Sequence, residues 1–315
     1  MTTETLQSPA RRHFLKSIAA GAAATAALAT AGPVAASTGE AGEEAFGILI
    51  DLTRCTGCNS CTLACKEAKA TADKVTIDPL PFVPPTALDS DTRSYIDERL
   101  VSDRHGNEYT CFIKRQCMHC VHPACASACT VGALRKTAEG PVVYDSEKCI
   151  GCRYCQYACP FGLPTYDWEN PLGLIGKCEM CVERLTEGEQ PACAASCPNG
   201  ALRFGKRADL IAQAHAQIIS NPGRYVNHVY GEDEAGGTSM LYLAPVPFSS
   251  LGFPSVGDGV IPRYAEAVMV KTPYVALTVA ALAVAFQTLT RRRQEHPAFV
   301  PAAGEHEAPS KGEKL

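Results

Sequence analysis

Four short stretches carry sixteen of the chain's seventeen cysteines, and their rhythm restricts the fold more than any other feature. Group one is "CTGCNSCTLAC" (Cys55, Cys58, Cys61, Cys65) and group two "CMHCVHPACASAC" (Cys117, Cys120, Cys125, Cys129). Group three is "CIGCRYCQYAC" (Cys149, Cys152, Cys155, Cys159) and group four "CEMCVERLTEGEQPACAASC" (Cys178, Cys181, Cys193, Cys197). Thiols this crowded are poorly placed to staple distant segments by disulfides. A small metal centre, by contrast, needs several sulfurs at one point. Cys111 alone stands outside the groups and reads as a buried, inert thiol.

Groups one and three have the C-x2-C-x2-C-x3-C spacing of bacterial ferredoxins. Groups two and four keep the leading C-x2-C and the trailing C-x3-C, with residues inserted between. Three cysteines on a tight loop can hold three irons of one cubane while loop amides point at its sulfides. The fourth follows about one helical turn later and ligates a neighbouring cluster. Sixteen cysteines therefore make four [4Fe–4S] sites. Structural zinc is the competitor, using two C-x2-C knuckles from separated loops. Group four alone imitates it; in groups one and three the third cysteine would be wasted. A Rieske centre would need two histidines, but group two already has four cysteines. Its His119 and His122 therefore read as packing or surface residues.

Flanking strands suggest which groups share clusters. "ILIDLTRC" precedes group one and "VVYDSEKC" group three; "TVGALRK" follows group two and "PNGALRF" group four. The passage "GALRKTAEGPVVYDSEKC" links groups two and three as the two halves of a two-cluster ferredoxin are linked. Residues 117–160 then form an inner ferredoxin unit. The strand before group one and the strand after group four lack partners and can pair, closing an outer unit around it. This nesting assigns Cys55, Cys58, Cys61 and Cys197 to cluster 1, and Cys117, Cys120, Cys125 and Cys159 to cluster 2. Cluster 3 takes Cys149, Cys152, Cys155 and Cys129; cluster 4 takes Cys178, Cys181, Cys193 and Cys65. The alternative joins group one to two and group three to four.

The expected class is α+β: two nested bacterial-ferredoxin-like 2[4Fe–4S] units with an insertion, plus one C-terminal transmembrane helix. Residues 45–116 hold the first strand, group one and the insertion. The insertion contains "DPLPFVPP" and a hairpin turning at His105-Gly106-Asn107, with Cys111 on its second strand. Residues 161–206 close the outer unit. Residues 207–271 begin with an amphipathic helix, "RADLIAQAHAQII", and continue as a Gly/Pro-rich extension.

Arg11 and Arg12, followed by Phe14, Leu15 and Lys16, resemble a twin-arginine export signal. With an alanine-rich stretch from Ile18 to Ala31 and a small-residue site at Val34-Ala35-Ala36, residues 1–36 read as a signal peptide. That route carries folded proteins, so metal captured in the reducing cytoplasm can protect the thiols before export. "TPYVALTVAALAVAFQTLT", residues 272–290, contains no charge and as a helix measures about 28 Å. Arg291, Arg292 and Arg293 follow, placing the tail 291–315 in the cytoplasm by the positive-inside rule. The globular part then lies on the periplasmic side of the inner membrane. An ordinary amphipathic segment at one end and a buried core helix at the other are the competing readings.

The net charge of −4 gives no basis for a nucleic-acid surface. No Ser/His/Asp set, Gly-rich phosphate loop, dinucleotide fingerprint or radical-SAM pattern is apparent. The chain reads as a non-catalytic carrier of single electrons, with potentials tuned by exposure and hydrogen bonding. Lys114, Arg115, Arg135 and Lys177, beside the groups, have two readings, cations that adjust the potentials or solvated surface, and solvated surface is the favoured one.

The four-group arrangement resembles the four-cluster iron–sulfur subunits of the complex iron–sulfur molybdoenzyme superfamily and its relatives, over roughly residues 45–245. These include subunits of formate dehydrogenase, dimethyl sulfoxide reductase, nitrite reductase and hydrogenase systems. "KRQCMHCVHPAC", "GCRYCQYACPFGLPTYDWENPLG" and "KCEMC" carry the likeness most specifically. An export signal combined with a C-terminal membrane helix is similar to the iron–sulfur subunits of membrane-bound nickel–iron hydrogenases. The resemblance implies the nested pairing, a catalytic hydrogenase or molybdoenzyme partner, and a quinone-reactive membrane subunit. Thr130 and Lys66 depart from it, standing where a proline often follows the fourth cysteine.

Overall fold

The computed structural model describes residues 44–72, 82–168 and 174–295. The proposed signal peptide, the start of the proline-rich stretch and the tail beyond residue 295 lie outside the described residues. Strands β1 (Phe46–Asp51), β8 (Leu202–Lys206) and β9 (Met240–Leu243) form the main sheet in the order β8-β1-β9. β8 runs antiparallel to β1, with Ile48 opposite Phe204, while β9 runs parallel, with Ile48 opposite Met240. The sequence of β1, "FGILID", is apolar on both faces, as a central strand covered on both sides requires. Ile48 and Ile50 join Met240 and Tyr242 in the main core. Leu49, Leu241 and Leu243 pack on the other face against Leu210 and Ala214 of the helix Arg207–Ser220. Those two helical residues are one turn apart and share a face.

A second antiparallel pair, β4 (Leu134–Lys136) and β5 (Val142–Tyr144), lies between cysteine groups two and three. Its turn presses on the main sheet: the Phe46 amide donates to the Glu139 carbonyl at 2.8 Å. Gly140 adopts a φ of 111°, and a Cβ there would sit 2.6 Å from the Phe46 carbonyl oxygen, so only glycine fits. Between cysteine groups one and two lies the long hairpin β2 (Ser94–Ser102) and β3 (Glu108–Gln116). The Asp103 carboxylate organises its turn, accepting from the amides of His105 and Asn107 at 2.8 Å each. A short pair, β6 (Thr165–Tyr166) with β7 (Ile175–Gly176), precedes group four.

β9 falls in the segment read from sequence as a Gly/Pro-rich extension. Its four apolar residues are hemmed in by Gly237-Thr238-Ser239 and by Pro245 and Pro247, leaving no periodic signal to distinguish strand from loop. The chain divides after Glu266 into two units. A 34-residue helix begins at Pro262 and ends at Glu295; proline suits the first helical turn because its missing N–H has no partner there. Within it, Lys271–Arg291 is long and apolar enough to cross a membrane, with mean hydropathy 1.5 and no part buried. The hydroxyls of Thr272, Thr278 and Thr290 donate back to the carbonyls of Val268, Tyr274 and Phe286, leaving no free hydroxyl donor at those positions.

Leu241→Ala is expected to cost about 2–5 kcal/mol by opening a cavity between the sheet and its helix. Leu100→Ala, on the exposed side of β2 (68 % exposed), is expected to stay within about 0.5 kcal/mol. Unfolding followed by circular dichroism compares the two.

Candidate metal centre

Each cysteine group opens on the same unusual turn. The residue before the second cysteine has a left-handed backbone in all four: Gly57 (φ 72°), His119 (49°), Gly151 (67°) and Met180 (57°). In groups one and three the residue after it, Asn59 or Arg153, is left-handed too. Such turns aim backbone amides into one concavity, a nest that favours an anion. Two of the positions lack glycine, and strain of this kind persists where surroundings fix it. His119 is fully buried, with Nδ1 accepting the Val142 amide at 2.9 Å; Met180 is buried in the main core.

Past the turn, the third cysteine enters a helix and the fourth lies one turn further. Cys61 and Cys65 ride on α1 (Ser60–Ala72). Cys125 lies on α2 (Ala124–Ser127) and Cys155 on α3 (Tyr154–Ala158), with Cys129 and Cys159 just beyond. In group four a short helix, α4 (Val182–Thr186), fills the insertion, and Cys193 lies on α5 (Ala192–Ala195), before Cys197.

The fourth sulfur therefore leaves its own group. Cys55 is surrounded by Cys61, Cys197 and Cys58, and Cys178 by Cys65, Cys193 and Cys181. Cys120 has Cys117, Cys125 and Cys159 around it; Cys155 has Cys129, Cys149 and Cys152. Each quartet draws three sulfurs from one group and one from another. Burial, and then the neighbouring sulfurs, push two of these thiols up, Cys155 to about 11 and Cys120 well above the ordinary thiol range. A buried set of mutually repelling sulfurs calls for a cation, and metal binding deprotonates such thiols outright. Exposed Cys58 is lowered instead, chiefly by its hydrogen bond with Ser60.

The donor set fits a polynuclear centre. Cys55, Cys58, Cys61 and Cys197 ring one cavity; Cys129, Cys149, Cys152 and Cys155 ring another. Cys65, Cys178 and Cys181 line a third, of about 320 Å³. Among the described residues no three Cys, His, Asp or Glu side chains converge closely enough to chelate a single ion. In these three quartets the sulfurs stand around voids. Amides add polar support: Ala133 donates to Cys129 Sγ at 3.1 Å, and Ala201 to Cys197 Sγ at 3.3 Å.

The quartets also adjoin one another in a definite order. Cys193 faces Cys61, linking the Cys55 quartet to the Cys178 quartet. Buried Tyr242 lies by both Cys178 and Cys117, and Cys125 faces Cys155. The order is Cys55, Cys178, Cys120 and Cys155 quartets. Of the sixteen cysteines, only Cys58 and Cys152 are exposed, one in each terminal quartet.

The reading of the neighbouring cations as solvated surface is corrected in part. Lys114 and Lys177 are buried, Arg115 is half-buried against Asp97 at 3.1 Å, and Arg135 alone is exposed. Lys177 Nζ donates to the carbonyls of Val142 and Cys178. Lys136, which sequence reasoning passed over, is buried as well and donates to the carbonyls of His119 and Gly140. Strand alternation was the available signal, since Lys136 shares the inward face of β4 with Leu134. His119 is a packing residue: burial, with Lys177 and Lys136 nearby, holds its pKa well below the ordinary histidine range. Cys111 lies buried on β3 opposite Arg99, outside every quartet.

Residues 109–207 match the 4Fe-4S dicluster domain family. A protein of Nitratidesulfovibrio vulgaris is 42 % identical over 294 residues, 90 % of this chain and 78 % of its own. The hydrogenase-2 operon protein HybA of Escherichia coli O157:H7 is 36 % identical over 284 residues, 79 % of this chain and 84 % of its own. The iron-sulfur subunit of the nitrate-inducible formate dehydrogenase of Escherichia coli K12 is 34 % identical over 199 residues, 62 % of this chain and 66 % of its own.

Burial pushes the Cys111 thiol up to about 11, leaving roughly one thiolate in a thousand at pH 8. In the native chain at that pH Cys111 is expected to resist iodoacetamide, and in denaturant to react. Peptide mass spectrometry reads both states, and alkylation of the native protein would contradict the assignment.

Proposed function

Because the chain belongs to the family of ferredoxin-type iron–sulfur subunits that includes HybA, we propose that it relays single electrons through four [4Fe–4S] clusters. The relay joins a catalytic redox subunit, a nickel–iron hydrogenase, to a quinone-reactive membrane subunit. The carrying observation is the serial order of the four sulfur quartets, with the two exposed cysteines, Cys58 and Cys152, in the quartets at its ends. When bound, cubanes supply one-electron chemistry with little nuclear rearrangement. The residues hold, orient and insulate them.

On this reading, cluster 1 rests on Cys55, Cys58, Cys61 and Cys197, and cluster 4 on Cys178, Cys181, Cys193 and Cys65. Cluster 2 rests on Cys117, Cys120, Cys125 and Cys159, and cluster 3 on Cys149, Cys152, Cys155 and Cys129. The β1–β8 pairing supports an outer ferredoxin unit built from groups one and four, and the β4–β5 pairing an inner unit built from groups two and three. The left-handed turns direct amides toward each anionic centre, and the surrounding aliphatic side chains exclude water.

Residues 1–36 serve as a twin-arginine signal in this account, and the helical span Lys271–Arg291 anchors the chain in the inner membrane with the cluster-bearing part on the periplasmic side. The arginines after residue 290 support that orientation. A molybdenum enzyme such as formate dehydrogenase is the second candidate partner, favoured by the similarity to a formate dehydrogenase iron-sulfur subunit. HybA matches over more of both chains, which favours hydrogenase.

The test is anaerobic purification of the complex through this subunit, followed by assay with hydrogen or formate. Hydrogen-dependent quinone reduction is expected, and Cys152→Ser is expected to abolish it while the catalytic partner still reduces a viologen dye. Quinone reduction undiminished in that variant would contradict the relay. Replacing Arg11 and Arg12 together by lysine is expected to hold the chain in the cytoplasm, as cell fractionation would read.

A further inference from the structure

β3 carries Lys114 into the interior between two sulfur quartets. The residue is 2 % exposed and lines the cavity ringed by Cys55, Cys58, Cys61 and Cys197. Its charge also faces Cys65, Cys178 and Cys193. Among the described residues no carboxylate pairs with it. Among the described residues its ammonium donates to one protein acceptor, Oε1 of Gln116. Gln116 is held in turn by Nε2 against Met240 Sδ at 2.9 Å, and the Lys114 carbonyl accepts from Tyr242 Oη at 2.9 Å. Backbone and side chain are therefore both fixed.

The two other buried lysines differ. Lys177 donates to two carbonyls; Lys136 donates to two carbonyls and the Ser239 hydroxyl. A buried ammonium with a single neutral acceptor is costly unless an anion stands beside it. Thiolate-ligated cubanes are such anions, and their negative charge grows by one unit when they accept an electron. A fixed cation therefore stabilises the reduced form more than the oxidised one.

We propose that Lys114 is a counterion shared by the two clusters of the outer unit and sets both of their reduction potentials upward. The assignment rests on the cubane reading of the quartets. Reduction adds one electron to a cluster, delivered by the catalytic partner or by dithionite; no bond breaks, and the ammonium keeps its proton. Lys114 does not line the cavity of Cys129, Cys149, Cys152 and Cys155, so that site is an internal control.

The experiment is a potentiometric titration, monitored by electron paramagnetic resonance, of the anaerobically purified complex carrying wild-type chain, Lys114→Met or Lys114→Arg. The outer-unit signals are identified by their alteration in Cys58→Ser and Cys181→Ser. In Lys114→Met those two signals are expected to shift to lower potential by at least a tenfold change in reduction equilibrium, about 59 mV for a one-electron couple. Lys114→Arg is expected to restore most of the shift, and the Cys155-quartet signal is expected to stay in place. Unmoved outer signals, an equal shift of all signals, or an arginine variant behaving like the methionine one would overturn the proposal. If Lys114→Met fails to load iron, Lys114→Gln is read the same way. Iron loss in both neutral variants with retention in Lys114→Arg supports the counterion, and loss in all three overturns it. A wild-type sample without cubane signals would instead sink the functional reading on which the proposal stands.

Discussion

Sulfur atoms that repel one another, drawn into the interior from segments far apart in the chain, set the terms for the rest of this structure. Cys55 meets Cys197 and Cys65 meets Cys178 where β1 and β8 are hydrogen-bonded neighbours and the helix Ser60–Ala72 packs on the helix Ala192–Ala195. The strand pairing and the sulfur gathering are thus one construction viewed from two sides. Left as thiolates without metal, the quartets would oppose folding. With iron, the same burial becomes ligation, and metal affinity enters the folding free energy directly. The left-handed turns at His119 and Met180 make sense in the same terms: strain is accepted where backbone amides must face an anion.

Much of this was legible in the sequence because it is local. The C-x2-C spacing and the apolar strands before groups one and three each occupy a handful of consecutive residues. The hairpin around His105-Gly106-Asn107 and the helix after residue 206 were readable for the same reason. β9 was not: four apolar residues between glycine and proline carry no period, and only the parallel register beside β1 makes them a strand. Lys114 and Lys177 were misjudged, and Lys136 was passed over, because lysine is rarely interior. The burial of Lys177 and Lys136 depends on carbonyls of Val142, His119 and Gly140, which no local pattern links to them.

The distribution of buried positive charge bears on the proposed relay. Lys114 stands beside the Cys55 and Cys178 quartets, and Lys136 and Lys177 stand near the Cys120 quartet. The Cys155 quartet instead has Tyr144 against Cys149 and an exposed Cys152. A relay whose sites share one ligand set can still differ from site to site through such surroundings. The two exposed cysteines lie at opposite ends of the serial order, where partners would have to approach.

The most direct measurement is Mössbauer spectroscopy of the anaerobically prepared chain grown on isotope-enriched iron, with total iron and zinc determined on the same sample. The account expects all bound iron to appear as cubanes, four per chain, with no stoichiometric zinc. Iron in mononuclear sulfur sites, or zinc filling the quartets, would contradict it.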